Sequence, residues 1–291
     1  MTIYILWVRH CESCSNVISH SKSIIKKLTH PRQGFIIPPN CTLIGLIQSF
    51  MFGYKLLPLI VKLYPKFKKI DFYSSLLKRA MITSKLITYG FSKTNIKIKQ
   101  SKFIERLCNV SEKPNILEKV TGLNLTNNTN YDISDKHIKQ INKRYKKTGK
   151  RISKRIKKKS KKCNQSDYKS FKKYTLRSLK KTNTLNVIVS HGKYIRENFN
   201  VSELNNLDAL LVEYDLKNDK HKVINKFMNT TDISKDYLSH ETIKNDIYDF
   251  NYRFNNNNLK TSISFNNVKN HFKQLDGYLN LDEKINEFSC E

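Results

Sequence analysis

Two stretches of this chain are apolar almost from end to end, and each stops at a histidine. Ile3-Tyr4-Ile5-Leu6-Trp7-Val8 runs into Arg9-His10, and Leu185-Asn186-Val187-Ile188-Val189 runs into Ser190-His191-Gly192. Continuous apolar runs of this length are the pattern of strands covered on both faces in a parallel sheet. Ile70-Asp71-Phe72-Tyr73, followed by Ser74-Ser75, predicts another strand, and the spacing of Leu77, Ala80, Met81 and Leu86 predicts a helix after it, with Gly90 as its stop. Thr42 can cap a helix with Leu46, Ile47, Phe50 and Met51 on one face, expected to end or kink at Pro58. Ile96 and Ile98 alternate with lysines, which suits an edge strand leading to Phe103-Ile104-Glu105. A helix near 167–181 is expected to feed the strand at 185–189, and Ala209–Tyr214 predicts a last strand. Strands alternating with helices indicate an α/β layered domain.

Charge changes the picture in the middle of the chain. Between Lys136 and Lys181 there are 21 Lys and Arg against one acidic residue, Asp167, so this stretch supplies +20 of the formal +30. Ser134 can cap a basic helix there, but Gly149 interrupts it and Lys157–Lys162 offers almost nothing to bury. A basic, flexible insertion near 146–166 is therefore expected. Beyond about Lys226 the chain turns Asn-rich, including Asn255–Asn258. The mean hydropathy of −0.57 agrees with part of the length lying outside any core. The expected organisation is one main domain over 1–228 and an Asn-rich C-terminal appendage of uncertain order over 229–291.

The opening apolar run is too short for a secretory signal or a membrane anchor, and Leu43–Leu63 is interrupted by Gln48, Lys55, Pro58 and Lys62, so no membrane contact is expected. Six cysteines without a secretion signal then imply reduced thiols in a cytoplasmic protein, with the basic run also compatible with the nucleus. Cys11-x-x-Cys14 invites a zinc or redox reading. No second pair at ligand spacing follows it, so no metal is expected.

In parallel α/β sheets ligands bind at the carboxyl ends of the strands, which can bring His10 and His191 into one crevice. Arg79 stands in the first turns of a helix that also follows a strand. Arg9, Arg79 and the two histidines would form a pocket suited to a dianionic phosphate. At these same positions the chain resembles a known family. Arg9-His10-Cys11-Glu12-Ser13-Cys14-Ser15-Asn16 is similar to the Arg-His-Gly-Glu-Ser-x-x-Asn opening of the histidine phosphatase superfamily, which includes cofactor-dependent phosphoglycerate mutases. Thr42, Gly45 and Gln48 echo its Leu-Thr-x-x-Gly-x-x-Gln block, and Ser74-Ser75-Leu76-Leu77-Lys78-Arg79-Ala80 echoes Ser-Ser-x-Leu-x-Arg-Ala. Glu105-Arg106, Ser190-His191-Gly192 and Asn205-Asn206 follow in family order, so that the resemblance covers about 1–228.

The resemblance implies a three-layer α/β/α sandwich with a mostly parallel sheet and a phosphatase acting through a phosphohistidine on His10. It implies Glu105 as proton donor and then base, and His191, Arg9, Arg79 and Asn16 as groups that hold the phosphoryl oxygens. Arg106 would make a weaker contact with the rest of a phosphorylated substrate. No cofactor and no metal are implied. Cys11 stands where the family usually has Gly, and Cys108 and Asn109 stand where mutases usually have Tyr and Gly. The last two departures favour hydrolysis over a mutase-like phosphotransfer, which is the alternative. A further alternative is a catalytically silent relative that binds nucleic acid or another polyanion non-specifically through Lys150–Lys162. Nothing in the sequence fixes the oligomeric state.

Overall fold

A computed structural model describes residues 2–13, 16, 41–75, 77–100, 104–110, 168–179, 183–231 and 247–274. The basic insertion, the helix expected from Ser134, and Cys14, Cys163 and Cys290 lie outside the described residues.

The described strands form one nine-stranded sheet. They are β1 (Thr2–Arg9), β2 (Lys69–Ser74), β3 (Lys99–Gln100), β4 (Glu105–Arg106), β5 (Thr184–Ser190), β6 (Ala209–Asp215), β7 (Lys220–Asn229), β8 (Ile247–Phe254) and β9 (Asn257–Ser264). Their order is β3-β2-β5-β1-β6-β7-β8-β9, with β4 pairing the far end of β2. The protein is thus mixed α/β, but the expected mostly parallel sheet needs correction. Pairings on the β2 side of β1 are parallel, whereas β1-β6, β6-β7, β7-β8 and β8-β9 are antiparallel. The reason is loop length: β6 to β7 and β8 to β9 are joined by tight turns, and a parallel pair needs a crossover of a dozen residues or more.

Helices cover both faces. On one face lie α1 (Leu43–Met51), α2 (Leu57–Leu63) and α3 (Lys78–Ser92), with α5 (Phe265–Gln274) farther along; on the other lie α4 (Gly192–Phe199) and a set of short helical turns between Tyr168 and Ser178. Because strand side chains alternate, β1 feeds both cores. Leu6 and Val8 join the α1–α3 layer, while Ile3, Ile5 and Trp7 join the α4 layer. Trp7 sits edge-on to Phe171 at 5.0 Å between centroids and donates its indole N–H to Tyr214 Oη at 3.2 Å.

Pro58 does not end the helix that begins at Leu43. A π-helical turn over Phe52–Leu56 intervenes, and Pro58 falls in the first turn of α2, where a missing N–H and a fixed φ are tolerated. The resulting run Leu43–Leu63 is long and apolar enough to cross a bilayer by length and composition, yet 78% of its most apolar window is buried, as in a core helix. Gly90 does not stop α3 either. A Cβ there would stand 2.2 Å from Phe50 O, and one at Gly53 would stand 2.0 Å from Ile87 O, so the two glycines let the helices cross backbone to backbone.

The Asn-rich C-terminal region supplies β8, β9 and α5 to the same sheet and core. Tyr248, Phe250, Tyr252 and Phe254 are buried while residues between them face outward, the period-2 pattern of a half-buried strand. At the β8–β9 turn Asn255 takes a φ of 42°, a left-handed conformation that asparagine tolerates better than most residues.

Candidate active site

Three parallel strands bring the candidate residues together. The register sets Arg9 opposite Ser190 and Ser74 opposite Val189, so Arg9-His10, Ser74-Ser75 and Ser190-His191 emerge level at one edge of the sheet. His10 N–H continues the ladder to Ser190 O at 2.9 Å, and Ser75 N–H to Val189 O at 2.9 Å. The His10 and His191 ring centroids are 5.1 Å apart, with His10 4% exposed and His191 fully buried.

The protons on His10 follow from its partners. Arg79 Nε lies 3.2 Å from His10 Nε2, and a guanidinium can only donate, so Nε2 carries the lone pair. Nδ1 then holds the proton and donates it to Cys11 O at 2.7 Å. His191 Nε2 meets Ser75 Oγ at 2.7 Å, and Ser75 Oγ also accepts the Leu77 N–H at 3.3 Å. The Arg9 guanidinium donates to Leu204 O and packs on Gly192, where a Cβ would stand 3.0 Å from Arg9 Nε. Of the sequence-derived set, His10, Arg79 and His191 therefore converge, and Arg9 lies beside Gly192, next in the chain to His191.

Asn16 is held through its carbonyl oxygen, which accepts the Ser13 N–H at 3.1 Å and the Ser13 hydroxyl at 2.8 Å. Glu105 lies in β4 with its backbone beside Tyr73, at the same end of β2, and its side chain is exposed. Its charge, with that of Asp71, adds to burial in pushing the Tyr73 phenol well above the ordinary tyrosine range. Arg106 follows opposite Ser74.

Cys11, which departs from the family glycine, turns its side chain into the helical layer and is bonded to Cys41 immediately before α1, with Cα atoms 6.0 Å apart. The expectation of reduced thiols is thereby corrected for this pair. Residues thirty apart meet because α1 packs against the loop after β1: Thr42 N–H donates to Glu12 O at 3.0 Å, and Thr42 Oγ1 donates to the Glu12 carboxylate at 2.9 Å while capping α1 through Gly45 N–H. Burial raises the Glu12 carboxyl above its usual range, against the lowering effects of Thr42 and Arg9. Cys11 N–H donates to Thr83 Oγ1 at 2.9 Å, which ties the loop to α3 as well. Among the described residues no cluster of His, Cys, Asp or Glu could hold a metal ion.

The sequence reading did not single out Ser75, Thr83 or Asp208 individually, since each acts through the backbone or through another side chain. Asp208 is buried and accepts the Asn205 and Asn229 N–H groups, at 2.8 and 2.6 Å. Burial nevertheless pushes its pKa up to about 6 from 3.8, outweighing those two bonds and the cations Lys226 and Arg9. A carboxyl raised on folding contributes stability that is complete below about pH 4 and is lost as pH rises through about 6. The shift corresponds to about 3 kcal/mol. Urea titrations should show the stability of the wild type falling by about that much, relative to Asp208→Asn, between about pH 4 and about pH 7. A difference independent of pH would refute the assignment.

No family model matches the chain, and no curated protein matches it. Among solved structures, it is similar to the crystal structure of a phosphoglycerate mutase from Plasmodium falciparum, with 13% identity over 81% of this chain and 92% of that one and a TM-score of 0.31. A likeness of that size carries no argument about chemistry. What the chain itself presents is a mixed α/β sheet with two imidazoles and two guanidiniums gathered at the ends of its parallel strands.

Proposed function

We propose that this protein is a phosphomonoester hydrolase that works through a phosphohistidine on His10. The observation that carries the reading is the His10 ring, neutral, with its proton on Nδ1 and its Nε2 lone pair beside Arg79. That is the form an imidazole needs to attack phosphorus in line. As the Nε2–P bond forms, the P–O bond to the alcohol breaks and the departing oxygen takes a proton. Water then attacks the phosphohistidine, releasing inorganic phosphate and restoring His10. We assign the proton donor, and then the base for water, to Glu105, on its place at the same strand ends. We assign to Arg9, Arg79 and His191 the balancing of charge on the non-bridging oxygens, with Asn16 assisting, and to Arg106 a weaker contact with the remainder of the substrate. These steps need no metal ion.

A mutase-like transfer to a second hydroxyl would share the intermediate. Hydrolysis is preferred because Cys108 and Asn109 occupy the positions of the mutase Tyr and Gly. Brief incubation with a radiolabelled phosphate ester, followed by denaturation, should leave a phosphoenzyme that is acid-labile and alkali-stable, with the label mapping to His10. Label on a serine, or turnover with no covalent intermediate, would overturn the reading.

A further inference from the structure

The ring of His10 is aimed by a carbonyl, and that carbonyl is itself held. Cys11 O, which accepts the His10 Nδ1–H, also accepts a hydrogen from the Asn206 side-chain amide at 2.8 Å. The same amide nitrogen lies 2.8 Å from His10 O. A carboxamide nitrogen carries two hydrogens, so one residue can satisfy both carbonyls of the nucleophile loop. Its remaining neighbour, Asn16 Oδ1, is farther away at 3.4 Å.

Asn206 is fixed from several directions. Its backbone O accepts the Asn229 side-chain amide at 3.1 Å, and Asp208 ties Asn205 to Asn229 through their N–H groups. Leu207 N–H donates to Arg9 O at 3.1 Å, and Arg9 N–H donates to Asp208 O at 3.0 Å. Leu207 has a φ of 63°, a left-handed conformation costly for a leucine, and its side chain is fully buried. Such a turn persists only where its surroundings over-determine it, and here the clasp between this loop and the end of β1 does so.

We propose that Asn206 is a positioning residue for phosphoryl transfer: by holding the His10 and Cys11 carbonyls it fixes the direction of the His10 Nδ1–H bond, and with it the line along which Nε2 meets phosphorus. The proposal rests on the reading of His10 as the nucleophile. When Nε2 bonds to phosphorus the ring gains positive charge and Nδ1–H becomes a stronger donor, pulling harder on Cys11 O. A carbonyl free to follow that pull would let the ring swing, and Asn206 prevents it. Because a second donor on the same oxygen lowers its basicity, the contribution is geometric and not an increase in the nucleophile's strength.

The test uses the full chain with Asn206→Ala and the isosteric Asn206→Asp, which sets a carboxylate against two carbonyl oxygens. Histidine side-chain nitrogen NMR reads the tautomer, and steady-state kinetics on p-nitrophenyl phosphate read kcat and KM separately. The wild type should show His10 protonated at Nδ1, and both variants a mixture of tautomers. Their kcat should fall by about tenfold to a hundredfold, with KM changed less than about twofold because the guanidiniums are untouched. Unchanged tautomer and kcat in folded Asn206→Ala would overturn the proposal, as would a lowered melting temperature with the tautomer intact. If Asn206→Ala does not fold, Asn206→Asp decides by the same criteria. Loss of the tautomer in a protein whose wild type turns over no phosphate ester would sink the phosphatase reading and leave Asn206 as the residue that orients the ring.

Discussion

Alanine at position 10 should lower kcat on phosphate esters by at least about a thousandfold, because removal of an attacking group forfeits the covalent route altogether. His191 is not expected to stand in, because its Nε2 is engaged with Ser75 Oγ at 2.7 Å. The same change leaves Arg79 without the lone pair it donates to and releases Cys11 O from one of its donors. The fold should be little affected, since His10 stands after the end of β1 and its backbone bond to Ser190 O does not depend on the side chain. Comparison of kcat with the melting temperature is the measurement. A variant that keeps more than about a tenth of wild-type kcat would remove His10 from the chemistry.

The second large effect is on stability. Gly53→Ala should cost about 3 kcal/mol, read as a lower urea midpoint with an unchanged slope. Alanine is the better helix former by about 1 kcal/mol, so a glycine that served only local structure would be improved by the change. Here the new methyl would meet Ile87 O at 2.0 Å, and its nearest neighbours are all backbone, which cannot rotate aside. Relief requires the π-helical turn that holds Gly53 and α3 to separate, and α3 carries Arg79 and Thr83, the partners of His10 and of the Cys11 N–H. Activity should therefore fall with stability. A midpoint equal to or above that of the wild type would show that the helices do not cross at this point.

The candidate edge was legible because it is written in local pattern: an apolar run, then a charged or imidazole residue, repeated on strands that the fold later sets in register. His10, His191 and Arg9 were singled out in that way, and Arg79 from its place in the first turn of a helix that follows a strand. Ser75 was quoted within a block, but its role at His191 depends on a contact between positions 116 apart in sequence. Pairing of Cys11 with Cys41 likewise required the packing of α1 on the loop after β1, which no spacing rule reveals. Gly90 was read as a helix stop because glycine commonly ends helices, whereas its reason here is a neighbouring backbone. In the C-terminal region the Asn-rich composition masked a readable signal: Tyr248, Phe250, Tyr252 and Phe254 alternate as a strand should, and Asn255-Asn256 after them form the turn.

The continuation of the sheet past β7 also bears on how the molecule can be trimmed. A fragment ending near residue 229 would leave Phe227 without the Phe254 ring at 5.4 Å, Phe52 without Tyr252, and Phe50 without the stacked His271. It would also bare the backbone rim of β7 that Phe254, Arg253 and Tyr252 cover. Raw strand rims of this kind recruit other chains, so the shortened polypeptide would be a seed for intermolecular stacking and not a smaller version of the same molecule.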